Sequence, residues 1–172
     1  MQPHRCWKFK FDSFCFAKYC RKGGFSGVEA RIIETLKNIE ESLDFYCDKL
    51  GLIEFSRKEV KSGRFTLVFL CAPDDKNLAE KNKKPLLELT YNWDAEEYKG
   101  GRNFGHLAFS VNNIYEKCQF LMDNGVTINR PPRDGYMAFI KSPDGISLEL
   151  LQKGDPLEIK EPWSSMNNEG TW

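Results

Sequence analysis

An internal repeat constrains the fold of this chain more than any other sequence feature. The run Asn38–Glu41 (Asn-Ile-Glu-Glu) is echoed by Asn113–Glu116 (Asn-Ile-Tyr-Glu). Each copy opens a predicted amphipathic helix that ends near a glycine, Gly51 or Gly125, where a left-handed backbone conformation costs little. A duplication of this kind predicts two modules of the same topology.

Strand-like runs surround both predicted helices. One strand enters each helix and three follow it; the following runs are Leu52–Phe55, Phe65–Leu70 and Leu86–Tyr91 in the first copy, and Val126–Ile128, Met137–Ile140 and Ile146–Leu151 in the second. The turn sequence Ser142–Gly145 (Ser-Pro-Asp-Gly) joins the last two. The expected fold class is therefore α+β, built from two βαβββ modules.

Three polar residues, Glu88, His106 and Glu149, each lie inside an apolar strand-like run. A carboxylate in such a setting is costly to bury unless something pairs with it. Each residue alone is more often a solvent-facing or structural side chain. Together, two carboxylates and an imidazole are a ligand set that suits a divalent metal.

The repeat relates these residues to one another. His106 lies eight residues before Ile114 on the strand entering the second helix, and Glu88 and Glu149 each lie on the last strand of their module. Two modules packed about a pseudo-twofold axis would place first-strand and last-strand side chains around one cavity. The position equivalent to His106 in the first copy is Arg31, whose guanidinium has no lone pair for a metal.

Composition excludes several classes of protein. A chain of 172 residues fits one compact domain or two small packed modules. Its net charge of zero gives no general argument for nucleic acid or membrane partners, and no apolar run approaches the roughly 20 residues of a spanning helix. The six cysteines lack the spacing of a disulfide framework or zinc knuckle, so we expect reduced thiols and a cytoplasmic protein.

The predicted globular domain spans 29–153, with modules at about 29–92 and 103–153. The segments at both ends of the chain differ from this domain in composition. The basic, aromatic segment 1–28 carries three cysteines, and it is either a targeting segment or a sequence foreign to the ancestral domain through an altered start or reading frame. The tail 154–172 is polar, and Trp163 is expected to dock on the body. The charged stretch Pro73–Lys84 is expected to be a solvated loop.

The ordered motifs resemble the glyoxalase I (lactoylglutathione lyase) family of the vicinal-oxygen-chelate superfamily. The resemblance covers roughly Lys37–Lys153, and it is carried by the runs Glu41–Tyr46, Leu86–Trp93, Gly105–Ala108, Ser142–Gly145 and Ser147–Leu150. Their order and spacing make it specific. It implies that the two βαβββ modules form a curved sheet.

The resemblance also implies a reaction. Such enzymes isomerise the hemithioacetal of methylglyoxal and glutathione to S-lactoylglutathione, and so remove methylglyoxal. One divalent metal per site, Ni2+ or Zn2+, acts as a Lewis acid, while a carboxylate moves a proton between neighbouring carbons. By resemblance Glu88, His106 and Glu149 are metal ligands, and Glu149 is the catalytic base.

Substrate and subunit contacts follow from the same resemblance. Asn92, Arg102 and Arg130 are implied to contact glutathione, since an arginine fork binds carboxylates bidentately; simple solvation of the two arginines is an equal alternative. The family's fourth ligand falls on Arg31, and one of its glutathione-binding arginines falls on Thr35. Family sites commonly form between two subunits, each chain supplying two ligands, so a homodimer is implied.

Two other functions remain open from sequence. Arg31 could form a salt bridge with Glu88 and Glu149 in place of a metal, which would leave an inactive glyoxalase-like binding protein with a degenerate metal site. A two-histidine, one-carboxylate iron dioxygenase is disfavoured, because His4 and His106 are the only histidines.

Overall fold

The computed structural model describes residues 31–82, 86–94, 97–98 and 104–172, except the side chains of Arg31, Asn82 and Leu86. The predicted N-terminal extension 1–28 and the predicted glutathione contact Arg102 lie outside the described residues. The fold is α+β, as predicted, and consists of a four-stranded and a three-stranded sheet with few helices.

The first module follows the predicted βαβββ order. Strand β1 (Arg31–Leu36) leads into helix α1 (Ile39–Leu43), which continues as a π-helical segment (Asp44–Lys49), and then come β2 (Ile53–Val60), β3 (Phe65–Cys71) and β4 (Leu86–Asn92). The sheet order is β1-β4-β3-β2, with β1 parallel to β4 and the other pairs antiparallel.

The connection between β3 and β4 is not the solvated loop that its charge predicted. It holds a 3-10 turn (Pro73–Asp75) and helix α2 (Lys76–Asn82). Pro73 is at the start of the turn, a position that proline favours, and the Ala79 side chain is fully buried beside Cys71. A helix forms because one small apolar residue packs against the sheet while the charged residues stay exposed.

The second module has one strand fewer than predicted. Its elements are β5 (Leu107–Val111), α3 (Ile114–Asp123), β6 (Met137–Lys141) and β7 (Ser147–Gln152), in the sheet order β5-β7-β6. The predicted strand Val126–Ile128 is wrong, since only an isolated bridge joins Arg130 to Phe139. Pro131 and Pro132 follow that bridge directly, and without N–H groups they end the pairing on that side. Val126–Ile128 lie on the other side of the bridge, where the chain forms no ladder.

The helix boundaries predicted from the repeat are confirmed. The Asn38 side chain accepts a hydrogen bond from the Glu41 N–H at 3.1 Å, and Asn113 accepts from Tyr115 and Glu116 at 3.1 and 3.2 Å. These asparagines satisfy N–H groups that the first turn leaves unpaired. Beyond the helices, Gly51 and Gly125 have φ of 85° and 78°.

Alternation along the strands decides which side chains enter the core. In β7, Leu148 and Leu150 are fully buried, whereas Glu149 between them is partly exposed on the opposite face. In β4, Leu87 and Leu89 join the core, so Glu88 lies on the other face. As predicted, Trp163 docks on the body: its side chain is 3% exposed, and its ring stacks on Tyr115 with centroids 6.1 Å apart.

A buried polar cluster ties the two modules together. The Glu34 carboxylate in β1 accepts hydrogen bonds from the hydroxyls of Tyr46 and Ser142, the latter at 2.9 Å. In the same turn as Ser142, the Asp144 carboxylate accepts from the Lys37 N–H at 3.0 Å and from the Ser42 hydroxyl at 3.2 Å. The β6–β7 turn is therefore fixed against the start of the first module.

Candidate active site

His106 and Glu149 form a close pair on one face of the second sheet. His106 directly precedes β5, and β5 runs parallel to β7 with Ala108 opposite Glu149. The His106 Nε2 and Glu149 Oε2 atoms are 3.1 Å apart, and the side chains are 42% and 15% exposed. Parallel pairing thus brings together an imidazole and a carboxylate that lie 43 positions apart in the sequence.

Phe139 lies beside this pair. It is the cross-strand partner of Glu149 in the β6–β7 ladder. Its ring contacts the His106 ring edge to face, with the ring centroids 5.2 Å apart and 88° between the ring planes. Nothing in the local sequence marked Phe139 as a site residue. The run Met137–Ile140 is continuously apolar, so no alternation in the sequence separates Phe139 from its core-facing neighbours Ala138 and Ile140.

Glu88 lies in the other sheet. Its backbone pairs with Ile33 of β1 and Phe69 of β3, and it is 8% exposed. Among the described residues, no group of three or more His, Cys, Asp and Glu side chains is placed to hold one ion. His106 and Glu149 come together, whereas Glu88 lies in the other sheet. The ligand set of all three residues stays a prediction.

Asn92 borders a cavity of about 520 Å3 at the end of β4. The cavity is also lined by Lys37, Trp93, Glu97 and Tyr98, and the Asn92 amide donates to the Tyr98 hydroxyl at 2.9 Å. Asn92 is on the same strand face as Glu88, four residues or roughly 13 Å along β4. Lys37 was not among the predicted contacts; the pairing of Leu36 with Tyr91 places it beside Asn92.

The Arg130 side chain forms hydrogen bonds within its own loop. Its guanidinium donates to the Asp134 carboxylate at 2.9 Å and to the Met137 carbonyl, and its side chain is 17% exposed. Burial acts to raise the pKa of Asp134, but hydrogen bonds from Arg130 and from the backbone of Met137 and Tyr136 hold that pKa below its ordinary value. A substrate carboxylate would have to compete with Asp134 for Arg130.

The His106–Glu149 pair suits a divalent metal. Imidazole nitrogen and carboxylate oxygen are common ligands of Zn2+ and Ni2+. Two such donors, each about 2.0–2.2 Å from one ion, lie roughly 3–3.5 Å apart, and the observed separation is 3.1 Å. The separation of the two donor atoms is therefore compatible with one shared ion.

Proteins of known function provide an independent comparison. The chain is 39% identical over 121 residues to the lactoylglutathione lyase of Neisseria meningitidis, covering 67% of this chain and 83% of that protein. It is 30% identical over 133 residues to the lactoylglutathione lyase of Escherichia coli O157:H7, covering 73% and 94%.

The fold is also similar to a solved structure, the trypanothione-dependent glyoxalase I of Leishmania major. The TM-score is 0.64 at 29% identity, over 74% of this chain and 87% of that one. Within the described part of the chain, no helix combines the length and the apolar character needed to cross a membrane. Residues 35–150 match the sequence profile of the Glyoxalase/Bleomycin resistance protein/Dioxygenase superfamily, and the chain belongs to that superfamily.

Proposed function

We propose that the chain is a metal-dependent lactoylglutathione lyase that isomerises the hemithioacetal of methylglyoxal and glutathione to S-lactoylglutathione. The observation that carries the proposal is the His106–Glu149 pair, with Nε2 and Oε2 3.1 Å apart on an accessible sheet face. The named relatives support it, since they are lactoylglutathione lyases. The proposed role is the removal of methylglyoxal. The proposed location is the cytoplasm, where glutathione keeps thiols reduced.

In this proposal His106 and Glu149 hold a divalent ion, Ni2+ or Zn2+, together with Glu88. When bound, the ion supplies Lewis-acid stabilisation of negative charge on the substrate oxygens. Arg31 stands where a fourth ligand is expected from the resemblance. Three protein ligands leave open positions, which is the arrangement that catalytic metal sites use.

Glu149 is proposed as the base that removes the proton from C1 and returns it to C2. Its position suits the role, because the carboxylate is partly buried, lies 3.1 Å from the His106 Nε2 atom and is on the strand position opposite Phe139. Partial burial limits the exchange of a proton held by the carboxylate with solvent, so that the proton is returned to carbon.

Glutathione is proposed to bind along β4. Asn92 offers amide groups for a peptide, and Lys37 and Glu97 in the same cavity offer charges of both signs. Arg102 stays a proposed contact for a glutathione carboxylate. Arg130 takes part only if the substrate displaces Asp134 from its guanidinium.

A homodimer is proposed as the working assembly. Within one chain, the described structure pairs His106 with Glu149 and leaves Glu88 in the other sheet. A second chain would bring Glu88 to the pair, so that each site takes ligands from both subunits. Closed twofold dimers of this kind are the commonest assembly of soluble oligomers.

Replacement of the proposed base tests the function. Glu149→Gln should lower kcat by about 10²- to 10⁴-fold, the usual contribution of positioned proton transfer, while Gln retains an oxygen that can contact a metal. The measurement is hemithioacetal turnover with Ni2+ or Zn2+, together with metal content. Glu59→Gln is the control, since Glu59 is an exposed carboxylate on β2.

Two results would contradict the proposal. A loss of less than about tenfold with metal retained would remove Glu149 from the role of base. A parent protein that binds neither metal and turns over no hemithioacetal would favour the inactive, glyoxalase-like binding protein that Arg31 suggests.

A further inference from the structure

We propose that Trp172 forms a wall of the candidate active site and selects the substituent on the carbonyl carbon of the substrate, favouring aromatic over methyl groups. This inference rests on the proposed lyase function. It concerns a residue outside the 35–150 segment that matches the superfamily profile.

The tail is attached to the second module by hydrogen bonds on both sides of Gly170. The Glu169 N–H donates to the Asn129 carbonyl, and the Asn129 side-chain amide donates to the Glu169 carbonyl, both at 2.9 Å. The Lys141 ammonium then donates to the Thr171 hydroxyl at 3.1 Å. Gly170 itself has φ of 66°, which lets the chain turn between these attachments.

These attachments place the tail on the face of the sheet that carries Glu149. In β6, Ala138 and Ile140 point into the core, so Phe139 and Lys141 lie on the opposite face. Phe139 is also the cross-strand partner of Glu149. A tail segment held by Lys141 and packed on Phe139 therefore lies on the reaction face.

Three rings form a continuous series from the candidate ligand outward. The His106 and Phe139 centroids are 5.2 Å apart, and the Phe139 and Trp172 centroids are 6.1 Å apart with 32° between the ring planes. Phe139 is only 8% exposed, whereas Trp172 is 45% exposed. Trp172 thus covers Phe139 and still presents indole surface to whatever occupies the face.

Trp163, in the same tail, has a different role. It is 3% exposed and packs with the core cluster and Tyr115. Burial of that kind stabilises the fold, and it leaves no surface for a ligand. Only Trp172 of these two combines contact with a site residue and an exposed ring.

The exposed indole predicts a preference between substrates. An aryl group beside it gains apolar contact area and offset stacking, which a methyl group cannot provide. The hemithioacetal of phenylglyoxal should therefore gain more from Trp172 than the hemithioacetal of methylglyoxal.

The test measures kcat/KM of parent, Trp172→Ala and Trp172→Phe with both hemithioacetals. Trp172→Ala should lower the ratio of phenylglyoxal to methylglyoxal activity by about tenfold, and Trp172→Phe should recover part of it. Phe120→Ala is the matched control, because Phe120 is an aromatic residue of α3 that is 44% exposed. Calorimetry gives a second readout: Trp172→Ala should weaken binding of S-benzylglutathione but not of S-methylglutathione.

The outcomes separate this inference from the function on which it rests. An active parent whose activity ratio and S-benzylglutathione affinity are unchanged in Trp172→Ala would overturn the inference alone. Equal losses with both substrates, accompanied by dissociation of a dimer in sedimentation, would also overturn it and assign Trp172 to a subunit contact. A parent that turns over neither hemithioacetal and binds neither thioether would overturn the lyase function itself.

Discussion

At the scale of single residues, Glu34 is a carboxyl group enclosed between the two modules. It is 5% exposed, and hydroxyls of Tyr46 and Ser142 donate to it. Burial raises its pKa; the two hydrogen bonds oppose this, and the nearby Asp144 carboxylate adds to the rise. The folded protein therefore holds the Glu34 proton more tightly than the unfolded chain does.

That difference makes stability depend on pH in a defined direction. With a raised folded pKa, the contribution of Glu34 is fully present below the pKa of the unfolded chain, near about 4.3, and is lost as pH rises through the folded value. Glu34→Gln has no such proton and still offers hydrogen-bonding groups to the two hydroxyls. The variant should therefore gain stability relative to the parent as pH rises above the unfolded pKa of Glu34, measured by urea unfolding at a series of pH values.

The control for this prediction is Glu59→Gln on the exposed surface of β2. Its unfolding free energy should follow that of the parent at every pH. A difference between Glu34→Gln and the parent that stays constant across the range would show that Glu34 does not change its proton affinity on folding.

At the scale of elements, the asparagine at the start of each repeat sets where its helix begins. Asn113 accepts two backbone hydrogen bonds in front of α3, and Asn38 accepts one in front of α1. The α3 helix runs ten residues, whereas α1 runs five and then continues as the six-residue π-helical segment Asp44–Lys49. The repeat therefore keeps the capping residue, while the helical conformation after the first turns differs.

Removal of the α3 cap should lower stability measurably. Asn113→Ala is expected to lower the unfolding free energy by about 1 kcal/mol, because two N–H groups of the first turn lose their acceptor. Asn113→Asp should retain most of the unfolding free energy that the cap contributes. Asn112→Ala, at the exposed position one residue earlier, should change the unfolding free energy little. Chemical unfolding measures all three, and an equal effect of the alanine variants at 112 and 113 would contradict the cap.

At the scale of the whole molecule, the proposed site needs two chains. Mixed dimers of Glu88→Gln and Glu149→Gln subunits test this directly. Each variant alone should be inactive, but in a mixed dimer one site receives both unchanged residues. Refolding the two together should restore about a quarter of the parent activity, since about half of the dimers are mixed and each has one intact site.

The alternative arrangement gives a different result. If all three residues of one site came from a single chain, no mixed dimer would contain an intact site, and mixing would restore nothing. Parent chains refolded with Glu149→Gln chains provide the control for recovery. Sedimentation should show dimers in every sample, because neither glutamate is needed for the chains to associate in this prediction.

Short-range signals in the sequence were enough to determine many features of this protein. The repeat at Asn38 and Asn113 predicted both helix starts, and the apolar run around Glu149 predicted the strand β7. These features depend on neighbouring residues, so the sequence carries them locally. The family motifs predicted the fold class for the same reason, since their spacing reflects the order of the elements.

Tertiary structure alone decided which distant residues meet. His106 and Glu149 are adjacent because β5 pairs with β7, and Glu88 is apart because its strand belongs to the other sheet. Likewise, a predicted strand is replaced by one isolated bridge, the burial of Ala79 accompanies an unpredicted helix, and the tail brought Trp172 to Phe139. Strand pairing and packing depend on contacts between residues far apart in the chain, and no local pattern of residues specifies them.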